Sequence, residues 1–170
     1  MTVPDSSGGG ADTTAVLRMA RELPQHHLME GRVQLLYVDD DENDCILISE
    51  SLHQLCDRCV LSCASTPEQA LDWLTANRGT NSFPHLVITD GSLRTSGGST
   101  GLIQAIHKQY PLLPVLVFSG NPMQERVDEF YAAGANGFIY KGIGMEDFSM
   151  RLAQLLNHWT KMLILPSRPK

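Results

Sequence analysis

Long apolar runs are missing from this sequence: no stretch of about 18 consecutive apolar residues occurs, so a helical membrane span is not expected. Basic residues are also scarce. Thirteen Lys and Arg against 19 Asp and Glu leave a formal net charge of −6, which argues against a nucleic-acid-binding surface built on clustered cations. The opening MTVPDSSGGGADTT has neither a basic start nor an apolar stretch. No secretory signal is therefore recognised, and a cytoplasmic location is the expectation. Cysteine is confined to Cys45, Cys56, Cys59 and Cys63. The C-x-x-C core of CDRCVLSC has no second such pair and no paired histidines nearby, so a four-ligand metal site lacks half its donors. Alternation in CVLSCA puts Cys59, Leu61 and Cys63 on one strand face, where free thiols act as small hydrophobes in a reducing compartment. His26, His27 and His158 read as exposed.

What is present suits one globular domain: 170 residues can bury a core but are short for two ordinary domains. Residues 1–12, rich in Gly, Ser and Asp, are expected to be disordered. Residues 13–23 carry the spacing of a short extra helix, marginal unless docked. From residue 33 a regular alternation begins. VQLLYV, CVLSCA, HLVIT, PVLVF and GFIY are short apolar runs suited to strands buried on both faces. Between them lie helical spacings through Ile46, Leu47, Leu52 and Leu55, through Ala70, Leu71 and Leu74, through the segment LIQAIHKQY, and through Met123, Val127, Phe130 and Tyr131. A last helix is expected from about Met145 to Leu163 with a stripe at Phe148, Leu152, Leu155, Trp159 and Leu163. Thr66-Pro67-Glu68-Gln69 reads as a capped helix start, and Gly134 as a helix stop.

Five strands alternating with five helices predict an α/β fold, a doubly wound parallel sheet with helices on both faces. Such sheets bind ligands outside the carboxyl ends of their strands, where the strand order reverses. The residues delivered there carry the chemistry. YVDDDEND brings Asp39, Asp40 and Asp41 to the end of the first strand. The third strand ends at Asp90, the fourth at Ser119 and the fifth at Lys141. Crowded carboxylates repel one another and raise their own pKa values; a Mg²⁺ ion relieves this, taking one or two carboxylates plus phosphate oxygens. An ionised Asp is then able to attack a phosphoryl group, with Lys and hydroxyl groups holding the remaining oxygens. Asp41, Glu42 and Asp44 read as the solvated, dipole-favoured start of the next helix.

The stretches LLYVDDDEND, HLVITD, LPVLVFSG and AGANGFIYKG, in this order, resemble the receiver domain of two-component response regulators over residues 32–163. Residues 1–31 then form an N-terminal extension and 164–170 a tail. The resemblance implies the flavodoxin-like strand order 2-1-3-4-5. It implies Asp90 as phosphoacceptor, with Asp39 and Asp40 holding Mg²⁺ beside Asp90 and the backbone carbonyl of Ser92. Ser119 resembles the hydroxyl residue that closes on the phosphoryl group, Lys141 the site lysine, and Phe138 the aromatic coupled to that hydroxyl. Ser92 and Asn121 flank the site and are expected to tune the lifetime of the phosphoryl group. The implied partners are a sensor histidine kinase or histidine phosphotransfer protein, then a downstream protein or a homodimer through the last helix, with no nucleic acid and no membrane.

Two positions depart from the family pattern. Arg94 stands where a proline is usual, and the Gly-Leu pair at Gly101-Leu102 arrives late, so the loop TSGGST is expected to be long and flexible. Gly142 replaces a proline that commonly follows the lysine in a cis bond; a cis bond without proline costs about 3 kcal/mol, so a trans or irregular turn is expected. These departures motivate a second reading, a receiver-like scaffold that is never phosphorylated. A third is a Mg²⁺-dependent phosphohydrolase of the haloacid-dehalogenase type, with Asp39-x-Asp41 as its nucleophile motif. That reading leaves Asp90 unexplained.

Overall fold

The structure, a computed structural model, describes residues 32–95 and 97–159. The expectations for residues 1–31, for the end of the last helix and for the tail at 164–170 lie outside the described residues. Five strands form one sheet: β1 (Val33–Val38), β2 (Cys59–Ala64), β3 (Leu86–Asp90), β4 (Val115–Ser119) and β5 (Gly137–Tyr140). They pair in parallel in the order β2-β1-β3-β4-β5. Between and after them run α1 (Glu42–Leu55), α2 (Pro67–Asn77), α3 (Gly98–Gln109), α4 (Gln124–Ala132) and α5 (Gly144–Asn157).

Alternation along β1 divides the core in two. Leu36 and Val38 face a layer built with Ala70 and Leu74 of α2, Leu102, Ile103 and Ile106 of α3, and Phe130 of α4. Leu35 and Tyr37 face the opposite layer, with Ile48 and Leu52 of α1 and Phe148, Leu152, Leu155 and Leu156 of α5. Residues at i and i+2 of a strand share a face, so the apolar runs are continuous because both faces are covered. Each fully buried Leu, Ile or Phe contributes roughly 1.5–3 kcal/mol over its exposed state.

Local signals place the helix starts. Asp41 caps α1, its carboxylate accepting from the Asn43 amide at 2.9 Å. Thr66 caps α2 through the Gln69 amide, while Gln69 returns a bond to the Ser65 amide; this reciprocal pairing satisfies otherwise orphaned donors.

Several expectations are corrected. Ile46 is exposed and Ile48 takes the buried place on α1. On α4 only Phe130 of the expected stripe is buried, while Met123 and Tyr131 are exposed. The loop after β3 is shorter than expected, because α3 begins at Gly98 and absorbs Ser99, Thr100 and Gly101 into its first turn. The cysteines are not free thiols: Cys45 pairs with Cys63 and Cys56 with Cys59. Their Cα separations, 6.5 and 5.4 Å, lie within disulfide reach. Cys63, exposed although the next and last residue of β2 is buried, meets the first turn of α1 instead of the core.

Among the described residues no peptide bond is cis, as expected for Lys141-Gly142. Gly142 instead adopts a φ of 83°, and a Cβ placed there would lie 2.5 Å from Asp147 Cβ. Proline requires φ near −65°, so the family's usual residue cannot be restored here without rebuilding the turn into α5. Gly142→Pro is expected to lower unfolding free energy by about 1–3 kcal/mol, read as a lower urea midpoint at unchanged slope.

Candidate functional site

Parallel pairing puts four neighbouring strand ends on one edge of the sheet. Asp39 directly follows β1, Asp90 ends β3, Ser119 ends β4 and Lys141 directly follows β5. The crevice lies between β1 and β3, where the strand order reverses. Carboxylate oxygens of Asp39, Asp40 and Asp90 come within 4.8 Å of one another.

Lys141 anchors the cluster. Its Nζ lies 2.8 Å from Asp90 Oδ1, 3.0 Å from Asp39 Oδ2 and 2.7 Å from Asp44 Oδ2. An ammonium has three N–H donors, and three carboxylates take them. Asp44 was expected to be a solvated helix-start acid, and that reading is corrected. In the first turn of α1 its side chain turns toward the strand ends, while Glu42 stays exposed.

Asp39 is buried and receives two further donors: the Tyr37 hydroxyl at Oδ2 and the Asp41 amide at Oδ1, 3.0 Å away. Asp40 is partly exposed and pairs with Arg94, Nε to Oδ2 at 2.7 Å. Asp90 Oδ2 accepts from the Ser92 amide, and the Asp90 carbonyl accepts from the buried Ser99 hydroxyl at 2.6 Å.

Ser119 is buried beside this group. Its Oγ accepts from the Asn121 amide at 3.3 Å, and its carbonyl accepts from the Lys141 amide at 2.9 Å, tying two strand ends together. A Cβ on Gly91 would lie 2.6 Å from Ser119 Oγ. Only glycine at residue 91 therefore lets the hydroxyl sit this close to the end of β3. The Gly91 carbonyl in turn accepts from Arg126 Nη2 at 3.2 Å. Phe138 is half-buried and stacks on Phe130 with centroids 6.1 Å apart; its backbone is in register with Val117, two residues before Ser119.

The structure thus brings together Asp39, Asp40, Asp90 and Lys141, with Ser92, Ser119 and Asn121 bordering them. Tyr37, Asp44, Arg94 and Ser99 were not singled out as site residues by sequence reasoning. The one available signal was Tyr37, a hydroxyl-bearing residue two positions before Asp39 and so on the same side of the extended chain.

Electrostatics couple the cluster to stability. Burial alone would lower the Lys141 pKa, but hydrogen bonds to Asp44 and Asp90 and the charges of Asp90 and Asp39 outweigh it and raise the value. Burial and the Asp39 charge raise Tyr37. Both groups keep their protons in the folded state at pH values where the unfolded chain loses them, so their stabilisation is present below about pH 10 and lost above it. Urea midpoints are expected to fall steeply above about pH 10, and Tyr37→Phe should make that fall shallower.

A model of the response regulator receiver domain matches residues 35–153. No curated protein matches the chain in sequence. Solved structures match it in fold. A phosphorylated cyanobacterial phytochrome response regulator, RcpA, is 20% identical, with a TM-score of 0.72 over 81% of this chain and 100% of that one. The Mn²⁺-bound form of response regulator Rcp1 is 18% identical, with a TM-score of 0.69 over 79% of this chain and 99% of that one. A chemotaxis response regulator of Vibrio cholerae, CheY4, is 21% identical, with a TM-score of 0.59 over 74% of this chain and 99% of that one.

Proposed function

The chain belongs to the response regulator receiver family, and on that premise we propose that it accepts a phosphoryl group on Asp90 from a histidine kinase or histidine phosphotransfer protein. The observation that carries this reading is Lys141 Nζ at 2.8 Å from Asp90 Oδ1, in a crevice where Asp39 and Asp40 oxygens lie within 4.8 Å of Asp90. Residues 32–163 form the receiver in this reading, with 1–31 an extension and 164–170 a tail.

An Asp90 oxygen attacks the phosphorus of a phosphohistidine. The P–N bond breaks, its electron pair stays on the imidazole nitrogen, which takes up a proton, and the new O–P bond makes an acyl phosphate. Lys141 turns the N–H now spent on Asp90 to a phosphoryl oxygen. The Ser119 hydroxyl donates to another, and Phe138 moves into the space Ser119 leaves. Asn121 and Ser92 border the group and govern the approach of water, hence its lifetime.

An all-oxygen donor set of carboxylates fits a hard divalent cation. Asp39, Asp40, Asp90 and the Ser92 carbonyl would hold Mg²⁺, which supplies positive charge against the charge of the transferring group.

Phosphorylation replaces one negative charge by about two and adds acceptor oxygens, biasing the Ser119 loop and Phe138 toward a second arrangement. That change is read by a downstream protein or by a second copy docking through α5. No helix among the described residues is long and apolar enough to cross a membrane.

Incubation with Mg²⁺ and acetyl phosphate, followed by intact-mass measurement, tests the reading. The expected result is the gain of one phosphoryl group, abolished by a chelator. No gain would favour the scaffold that is never phosphorylated. The haloacid-dehalogenase reading gives way to the family match, and Asp39, its required nucleophile, is occupied by Tyr37, Asp41 and Lys141.

A further inference from the structure

Arg94 bridges the two sides of the crevice. It stands on the loop after β3, yet its guanidinium pairs with Asp40, which follows β1. Among the described residues, the four carboxylates Asp39, Asp40, Asp44 and Asp90 are ion-paired with one ammonium and this guanidinium. We propose that Arg94 is a tethered cation that holds Asp40 while no divalent ion is bound and has to swing away for one to enter. The loop after β3 thereby sets the ion concentration at which the crevice becomes competent. This rests on the divalent-cation reading given above.

Three observations support displacement over permanent pairing. The Arg94 side chain is 82% exposed against 21% for Asp40, and exposed ion pairs are weak and easily exchanged for water. Two glycines with positive φ, Gly97 at 81° and Gly98 at 51°, join the loop to α3, so the connection tolerates backbone conformations closed to other residues. Finally, the Thr95 hydroxyl next to Arg94 is buried with no hydrogen-bond partner among the described residues, so no side-chain bond of Thr95 among them fixes the loop with Arg94 on Asp40.

A guanidinium and a divalent ion sharing one carboxylate repel each other. Occupation by Arg94 must therefore weaken ion binding, and by linkage a bound ion must weaken the Arg94 contact by the same factor.

Mn²⁺ titration of the full, unphosphorylated chain, with free ion followed by electron paramagnetic resonance, reads this directly. Arg94→Ala is expected to bind Mn²⁺ roughly threefold to tenfold more tightly than the parent. Lys108→Ala, which removes an equal charge near the C-terminal end of α3, is expected to change affinity less than twofold, by screening. Equal or weaker binding by Arg94→Ala overturns the proposal, as does an equal gain in Lys108→Ala, which would mean overall charge alone. If neither parent nor Arg94→Ala binds Mn²⁺, the divalent-cation reading falls with it. If both bind equally and the chain still takes up a phosphoryl group, only the role of Arg94 falls.

Discussion

Asp90→Asn is expected to take up no phosphoryl group from acetyl phosphate under conditions where the parent chain gains one. The amide is nearly the shape of the carboxylate, and its oxygen still accepts from the Ser92 amide; its NH2 then takes the place of Oδ1 and loses Lys141, which keeps Asp39 and Asp44 as partners. What disappears is the anionic nucleophile. No neighbour replaces it. Asp39 is buried and already accepts from Tyr37, Asp41 and Lys141. Asp40 is engaged by Arg94, or by the divalent ion once that has displaced Arg94. Ser119 is buried, and its oxygen contacts the Asn121 amide, not a base that could take its proton; a serine hydroxyl without a base is a poor nucleophile. Removing one of several crowded like charges also relieves repulsion. The variant should therefore melt at or above the parent temperature while incorporation falls below detection. An adduct that persists in Asp90→Asn would place the acceptor elsewhere and sink the assignment.

Much of the fold was legible because a doubly wound sheet writes itself plainly. Strands covered on both faces, such as LVITD and VLVFS, cannot alternate and so appear as continuous apolar runs. Residues ending such strands share one edge whatever the details of packing, which is why Asp39, Asp90, Ser119 and Lys141 could be grouped before their distances were known. What escaped was the direction of side chains leaving irregular or helical backbone. Asp44 looks like any acid in a first helical turn; only the packing of α1 beside β2 and α5, in the layer it shares with β1, turns it toward Lys141. Ser99 looked like loop because a run of Gly, Ser and Thr carries no helical period, and α3 starts there without a side-chain cap. Arg94 was visible as a departure from a family pattern, but its reach to Asp40 spans 54 positions of sequence, and local spacing holds no such information. The cysteines show the same limit. Cys45 and Cys63 are on different elements, and their pairing depends on how α1 packs beside β2.

Lys141 is the group whose loss should damage both stability and chemistry most. Lys141→Met keeps much of the apolar stem and removes the ammonium shared by Asp39, Asp44 and Asp90. Breaking a buried ion pair from one side costs about 3–5 kcal/mol, because the remaining charge stays desolvated. Here the Asp44 side chain is 29% exposed and can regain some hydration, which points to a loss at the lower end, about 3 kcal/mol at neutral pH. One feature separates this electrostatic cause from a packing defect. The deficit should shrink when a divalent cation is added, since the ion then carries the counter-charge. A packing defect would not respond. Lys141→Arg restores the charge on a planar fork that cannot reach three carboxylates at once as a compact ammonium does. It should therefore recover most of the stability while phosphoryl uptake stays near the level of Lys141→Met. If Lys141→Arg instead takes up phosphoryl groups at the parental rate, the lysine acts only by holding the acids together and has no part in binding the phosphoryl oxygens.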